Sequence, residues 1–253
     1  MRLSLCYLYA SGMNVYGDRG NVLTLAQRCR WRGIELDIIE RGVGDRAPLK
    51  QCDLLVMGGG QDRDQVAVSQ DLQGDTGKAL IEAVEDGAAV LAVCGTYQLL
   101  GHYFKAGGGE TLPGIGLFDA WTVAGPRRFI GDVVVRADLG DQVVDLVGFE
   151  NHSGRTFLGP NGRCLGQTVV GAGNNGRDGQ EGARYRNAFG CYLHGPLLPK
   201  NPELADHLIL LALRRRHGDD VVLSPLDDSV EIDARRAMIE RVRRRGRVKS
   251  GAR

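Results

Sequence analysis

Apolar residues alternate with others across residues 3–9, and that period of two predicts a first strand. The turn-rich stretch 11–18 reads as a loop, after which Val22, Leu25, Ala26 and Cys29 recur at helical spacing. Asp18 or Asn21 would cap that helix, capping being preferred to a functional role for Asp18, and Gly33 would stop it. Alternation resumes over 34–39, and 53–57 is a continuous apolar run suited to a strand buried on both faces. Residues 64–72 and 78–86 carry helical patterns, and Gly87 ends the second before another apolar run at 88–93. Strands alternating with helices in this way predict an α/β fold with an open, mostly parallel sheet flanked by helices.

The pattern then changes. Segments 120–123, 128–136 and 143–149 alternate or carry β-branched residues with no helix between them, so added antiparallel strands are expected as three separate pieces. Residues 171–179 are read as a flexible, partner-facing loop, and 189–193 as a last strand ending in His194-Gly195-Pro196. An amphipathic helix is expected over 203–217 and a basic one over 233–245. The organisation expected is one domain over residues 1–230 with a basic helix and tail over 231–253.

Composition adds limits rather than detail. With 253 residues, 43% apolar and 25% charged, the chain can bury a sizeable core. No apolar run approaches the roughly 20 residues that cross a bilayer, and the first strand lacks a cleavage site, so a cytoplasmic location is expected, with at most peripheral contact at the inner membrane face. Cys6, Cys29, Cys52, Cys94, Cys164 and Cys191 are scattered, which predicts reduced thiols and no metal. A net charge of +1 argues against nucleic acid as a partner. The exception is the end, where Arg235, Arg236, Arg241, Arg243, Arg244, Arg245, Arg247, Lys249 and Arg253 cluster. A solvated, fraying helix is preferred there over a surface for anionic lipid or a partner.

Candidate chemistry centres on Cys94-Gly95-Thr96-Tyr97-Gln98, directly after the apolar run. A strand turning sharply into a helix is the geometry of a nucleophile elbow, and a helix N-terminus behind Cys94 would lower its thiol pKa. An inert buried thiol is the competing reading. Gly58-Gly59-Gly60 follows the preceding strand, where backbone N–H groups at a carboxyl end can face an anion. A thiol nucleophile needs a proton acceptor, usually histidine. His102 falls about 12 Å along the elbow helix at 1.5 Å per residue, too far to serve. His207 and His217 read as surface residues. His152 and His194 each follow a strand, and spacing alone leaves both open.

These motifs together resemble the class I glutamine amidotransferases, whose fold is flavodoxin-like, and specifically their cobyric acid synthase-like branch. Residues 16–21 (YGDRGN), 148–156 (GFENHSGRT) and 193–202 (LHGPLLPKNP) are similar to the GatD family of glutaminase subunits of lipid II isoglutaminyl synthase. The resemblance runs from the first strand to the final helices. It implies hydrolysis of L-glutamine to glutamate and ammonia, with the ammonia passed to a MurT-type, Mur ligase-like subunit. That partner would use ATP and Mg to amidate the D-glutamate α-carboxyl of lipid II, and this chain itself would carry no cofactor. By position, the resemblance makes Cys94 the nucleophile and His194 the general base and acid. It likewise makes Arg128 the glutamine-binding group, the N–H groups of Gly59 or Gly60 and of Gly95 the oxyanion hole, and puts Gln98 near the substrate. Arg127 has the same chemistry as Arg128, and strand alternation lets one of the two face inward.

Two positions depart from the pattern. Pro196 stands where most class I enzymes place a glutamate two residues after the histidine, so the orienting carboxylate is expected from the partner. Thr96 stands where glycine is usual. Cobyrinic acid-type amidation and a noncatalytic scaffold role are the alternative functions.

Overall fold

The computed structural model describes residues 1–46, 48–140 and 142–250, of which 62 and 245–250 by backbone alone. The side chains of Arg245, Arg247 and Lys249, and all of Arg253, therefore lie outside the described residues.

The first half lays down a parallel sheet. Strand β1 (Arg2–Leu8) leads through helix α1 (Arg19–Trp31) to β2 (Glu35–Arg41), then β3 (Leu54–Met57), α2 (Asp62–Leu72), α3 (Asp75–Glu85), β4 (Ala89–Val93) and the short α4 (Gly95–Leu99). β3 and β4 are buried along their whole length, as strands covered by helices on both faces must be. The chain next forms β5 (Tyr103–Lys105), β6 (Thr111–Pro113), β7 (Ala120–Asp138), β8 (Val143–Leu158), β9 (Gly166–Val170), β10 (Gln180–Glu181), β11 (Ala183–Tyr185) and β12 (Ala188–Cys191). Helices α5 (Pro202–His217) and α6 (Ser229–Ser250) finish it.

One sheet has the order β11-β12-β4-β3-β1-β2, parallel except for β11. Without that edge strand the order is the flavodoxin-like one, and its ligand crevice is expected beyond the strands' carboxyl ends. The second sheet is built on the β7–β8 ribbon. Segments 120–123 and 128–136 are a single strand, the expected break surviving as a register irregularity between Ala124 and Phe129. A two-way backbone bridge between Phe149 and His194 ties the ribbon to the end of the parallel sheet.

Three further expectations change. The elbow helix ends at Leu99, because the N–H groups of Gly114, Ile115 and Gly116 take the carbonyls of His102, Leu99 and Gly101. His102 is thus off the helix, bonded to Asp119 at 2.9 Å. The 171–179 loop is not simply a flexible, exposed one: Glu150 accepts the N–H groups of Ala172 and Gly173, and Asn174 and Asn175 are buried. His207 is half-buried, edge-on to Phe189.

Helix α6 lies against the body through Arg235–Glu203 and Arg241–Asp132 pairs. Ahead of it, Asp228 shares the buried Arg28 guanidinium with Asp206, which fastens the connecting segment to α1 and α5.

Candidate active site

The end of β4 sets the geometry. Cys94 has φ +56° and ψ −106°, a left-handed conformation that costs a non-glycine residue of order 1–3 kcal/mol and recurs at strained functional turns. Its N–H is held by the Cys191 carbonyl of the neighbouring strand end at 2.8 Å. Thr96 donates its hydroxyl to the Gly58 carbonyl at 2.9 Å, which gives the departure from glycine a purpose: it locks the elbow to the glycine loop.

The glycines of that loop are there for space. A side-chain carbon on Gly59 would lie 3.0 Å from Cys94 Cβ, 3.5 Å from its Sγ and 3.3 Å from His194 Cε1. One point thus touches both candidate residues, so Cys94 and His194 both flank Gly59. A carbon on Gly58 would strike the Met13 carbonyl at 2.2 Å, and one on Gly95 would strike Gln65 Nε2 at 2.5 Å.

His194 is buried just past β12, held in backbone register by Phe149, its ring tilted against Tyr16 at 4.3 Å. Neither ring nitrogen has a hydrogen-bond partner among the described residues. Where an orienting acid would be sought, Pro196 packs so tightly over Gly20 that a carbon there would lie 2.4 Å from its Cγ, and Lys200 Nζ donates to the Gly195 carbonyl.

Asp18 was expected to cap α1, and it occupies the N-cap position without making the cap bond. Its carboxylate turns inward and accepts the Gly59 N–H at 2.9 Å, while Asn21 accepts the N–H of Leu198. Of the two loop glycines, Gly60 is then the one whose N–H is not engaged among the described residues. The Gly95 N–H faces the Cys94 sulfur.

Electrostatics differ from the sequence expectation. Burial pushes the Cys94 thiol up to about 12, helped by the Asp18 charge, and the Gly95 N–H at the head of a five-residue helix does not offset it. Burial likewise pushes His194 down to about 3, with His152, Arg128 and Lys200 adding to the shift. Both groups therefore rest neutral.

A cavity of about 370 Å³ opens over Cys94, and His194 is not among its lining residues. Its wall includes Cys94, Gln98, Arg128 and His152, together with Tyr16 and Gln65. Arg127 is not among the lining residues, so the ribbon turns Arg128 inward. Asn151 fixes Arg128 through its Oδ1 and its carbonyl, each at 2.9 Å. Gln98 accepts from Gln65 and donates to the Tyr192 hydroxyl. Asp18, Thr96 and Asn151 are the supporting residues that periodicity missed. All three sit inside the quoted motifs, which was the available signal.

The chain matches the CobB/CobQ-like glutamine amidotransferase domain over residues 4–202. It is 36% identical over 242 residues to lipid II isoglutaminyl synthase (glutamine-hydrolyzing) subunit GatD of Staphylococcus aureus, covering 96% of this chain and 97% of that protein. The identically named subunit of Streptococcus pneumoniae is 36% identical over 228 residues, covering 90% of this chain and 86% of the relative. Among solved structures, PurLQS from Thermotoga maritima superposes with a TM-score of 0.58 at 15% identity, over 85% of this chain and 99% of the other. No described helix is long and apolar enough to cross a membrane.

Proposed function

Because the chain belongs to the CobB/CobQ-like glutamine amidotransferase family, we propose that it is the glutamine-hydrolysing subunit of a lipid II isoglutaminyl synthase. The observation that carries this reading is that Cys94, on a strained elbow, and His194 both flank Gly59. Two relatives that match over most of their length bear that name, which favours it over cobyrinic acid amidation.

The chemistry follows from the groups present. Cys94 Sγ attacks the carboxamide carbon of glutamine as its proton passes to His194. The developing oxyanion takes hydrogen bonds from the N–H groups of Gly60 and Gly95, of which one such donor is worth about 2.7–4 kcal/mol in comparable sites. His194 then returns the proton to the nitrogen, the C–N bond breaks, and ammonia leaves a thioester. Water cleaves the thioester to glutamate and restores the thiol. Arg128 pairs with the α-carboxylate, and Gln98 lines the same bed.

Ammonia released into neutral water becomes ammonium and loses its nucleophilicity, so the product must travel within a complex. The partner is a MurT-type, Mur ligase-like subunit that binds ATP and Mg and presents lipid II. That subunit also supplies a carboxylate to His194, in the place that Pro196 leaves without one. Any membrane contact is through the partner's lipid-linked substrate. The test is glutamate release together with labelling of Cys94 by a glutamine-like electrophile. Cys94→Ser and His194→Ala each abolish turnover in a folded chain, whereas a thiol that stays unlabelled would leave the scaffold role. Turnover retained in His194→Ala but lost in His152→Ala would move the base to His152.

A further inference from the structure

His152 remains after the mechanism has used its other groups. It is 2% exposed and lines the same cavity as Cys94 and Arg128. Its ring lies flat on Tyr192, 3.6 Å away at 4°, and meets the Phe129 edge at 5.7 Å. The Tyr192 hydroxyl is itself held by Gln98 and Thr156, so the imidazole has no freedom to turn. Its Nδ1 lies 2.8 Å from the Gly154 carbonyl. A carbonyl only accepts, so Nδ1 must carry the hydrogen. Nε2 is then a bare lone pair, and it has no partner among the described residues.

An unpartnered acceptor on a residue that lines a ligand cavity is open to a donor that the ligand brings. The charged residues lining the cavity are Arg63 and Arg128, both cationic, and no carboxylate is among the described lining residues. Asp18 sits behind the glycine loop, turned to Gly59. Glutamine brings one carboxylate, which an arginine can grip, and one ammonium, for which this wall offers no anion. We propose that Nε2 of His152 accepts a hydrogen bond from the α-ammonium of bound glutamine, making His152 the residue that selects an α-amino acid amide. Burial first, and then the charges of Arg155 and Arg128, hold the imidazole neutral, which keeps the lone pair available.

The inference rests on the glutaminase reading and deepens it. Its test compares L-glutamine with glutaramate, the same molecule without the α-amino group, in the full chain and in its His152→Phe and His152→Gln variants. Phenylalanine keeps the stack on Tyr192 and removes the acceptor, whereas glutamine restores an acceptor at similar reach. His152→Phe should lower kcat/KM for glutamine by about 10- to 100-fold, mainly through KM, as loss of a charge-assisted bond does, and leave glutaramate unaffected. His152→Gln should recover much of the loss. Equal losses on both substrates would make His152 a base or a structural residue and overturn the inference, as would no loss at all. Calorimetry of glutamine binding to Cys94→Ser, with and without His152→Phe, separates the two readings. His152-dependent binding to Cys94→Ser, beside a wild-type chain that hydrolyses no glutamine alone or with its partner, would sink the glutaminase reading alone, and absence of binding would sink this one as well.

Discussion

Glu181 offers the most quantitative test of how the site is supported. Its carboxyl is 1% exposed at the junction of the two sheets, and Oε1 accepts the N–H of Tyr192 at 2.6 Å, two residues before His194. Oε2 has no partner among the described residues. Burial, opposed by the Tyr192 N–H, pushes this carboxyl from an ordinary 4.5 up to about 8. Below about pH 4.5 the folded and unfolded chains both hold the proton, and Glu181 adds no pH dependence. Between that point and pH 8 the unfolded chain ionises first, so the folded state binds more protons and stability falls as pH rises. Above pH 8 both forms are ionised and the penalty is constant. An interval of about 3.5 pH units at about 1.4 kcal/mol per unit makes that penalty about 5 kcal/mol, and about 3 kcal/mol at pH 7. Glu181→Gln keeps the acceptor for Tyr192 and removes the ionisation. Urea unfolding of both chains at pH 5, 7 and 9 should therefore show the variant gaining on the wild type by about 4 kcal/mol across that range. Any fixed cost of the substitution cancels in the difference. A gap that stays the same from pH 5 to pH 9 would refute the reasoning, because Glu181 would then not be held as a neutral acid.

Other outcomes follow from the same geometry. A partner carboxylate about 4 Å from His194 is worth about 4 kcal/mol at an effective dielectric of 20, so glutamate release by the complex should exceed that of the isolated chain by about a thousandfold. Equal rates would remove the partner from the triad. Asp18, pushed up to about 6 by burial, is ionised at pH 8 and holds the Cys94 thiol up. Asp18→Asn should therefore speed alkylation of Cys94 about tenfold at pH 8, with no gain at pH 5. Arg28→Met leaves Asp228 without its cation, while Asp206 keeps Arg32. It should cost about 3 kcal/mol in urea unfolding, the low end for a broken buried pair.

The succession of strands and helices was legible because burial on both faces of a parallel sheet leaves continuous apolar runs, as in β3 and β4, and a half-buried ribbon leaves alternation. The elbow was legible for a related reason: a strand running into Gly95 and Thr96 has few ways to turn. Residue type and local period reach no further than their own element. They left His152 and His194 equivalent, gave Arg127 and Arg128 equal claims, assigned Asp18 to a helix cap, and predicted a thiol acidified by a helix that proves five residues long. Those questions depend on which chain ends converge. The Phe149–His194 bridge, the Asp18–Gly59 bond and the burial of Cys94 join positions separated by tens of residues. Solvent exclusion and charge act across that space rather than along the chain, so tertiary packing decided the burial, the partners of Asp18 and the inward turn of Arg128, which no local pattern encodes.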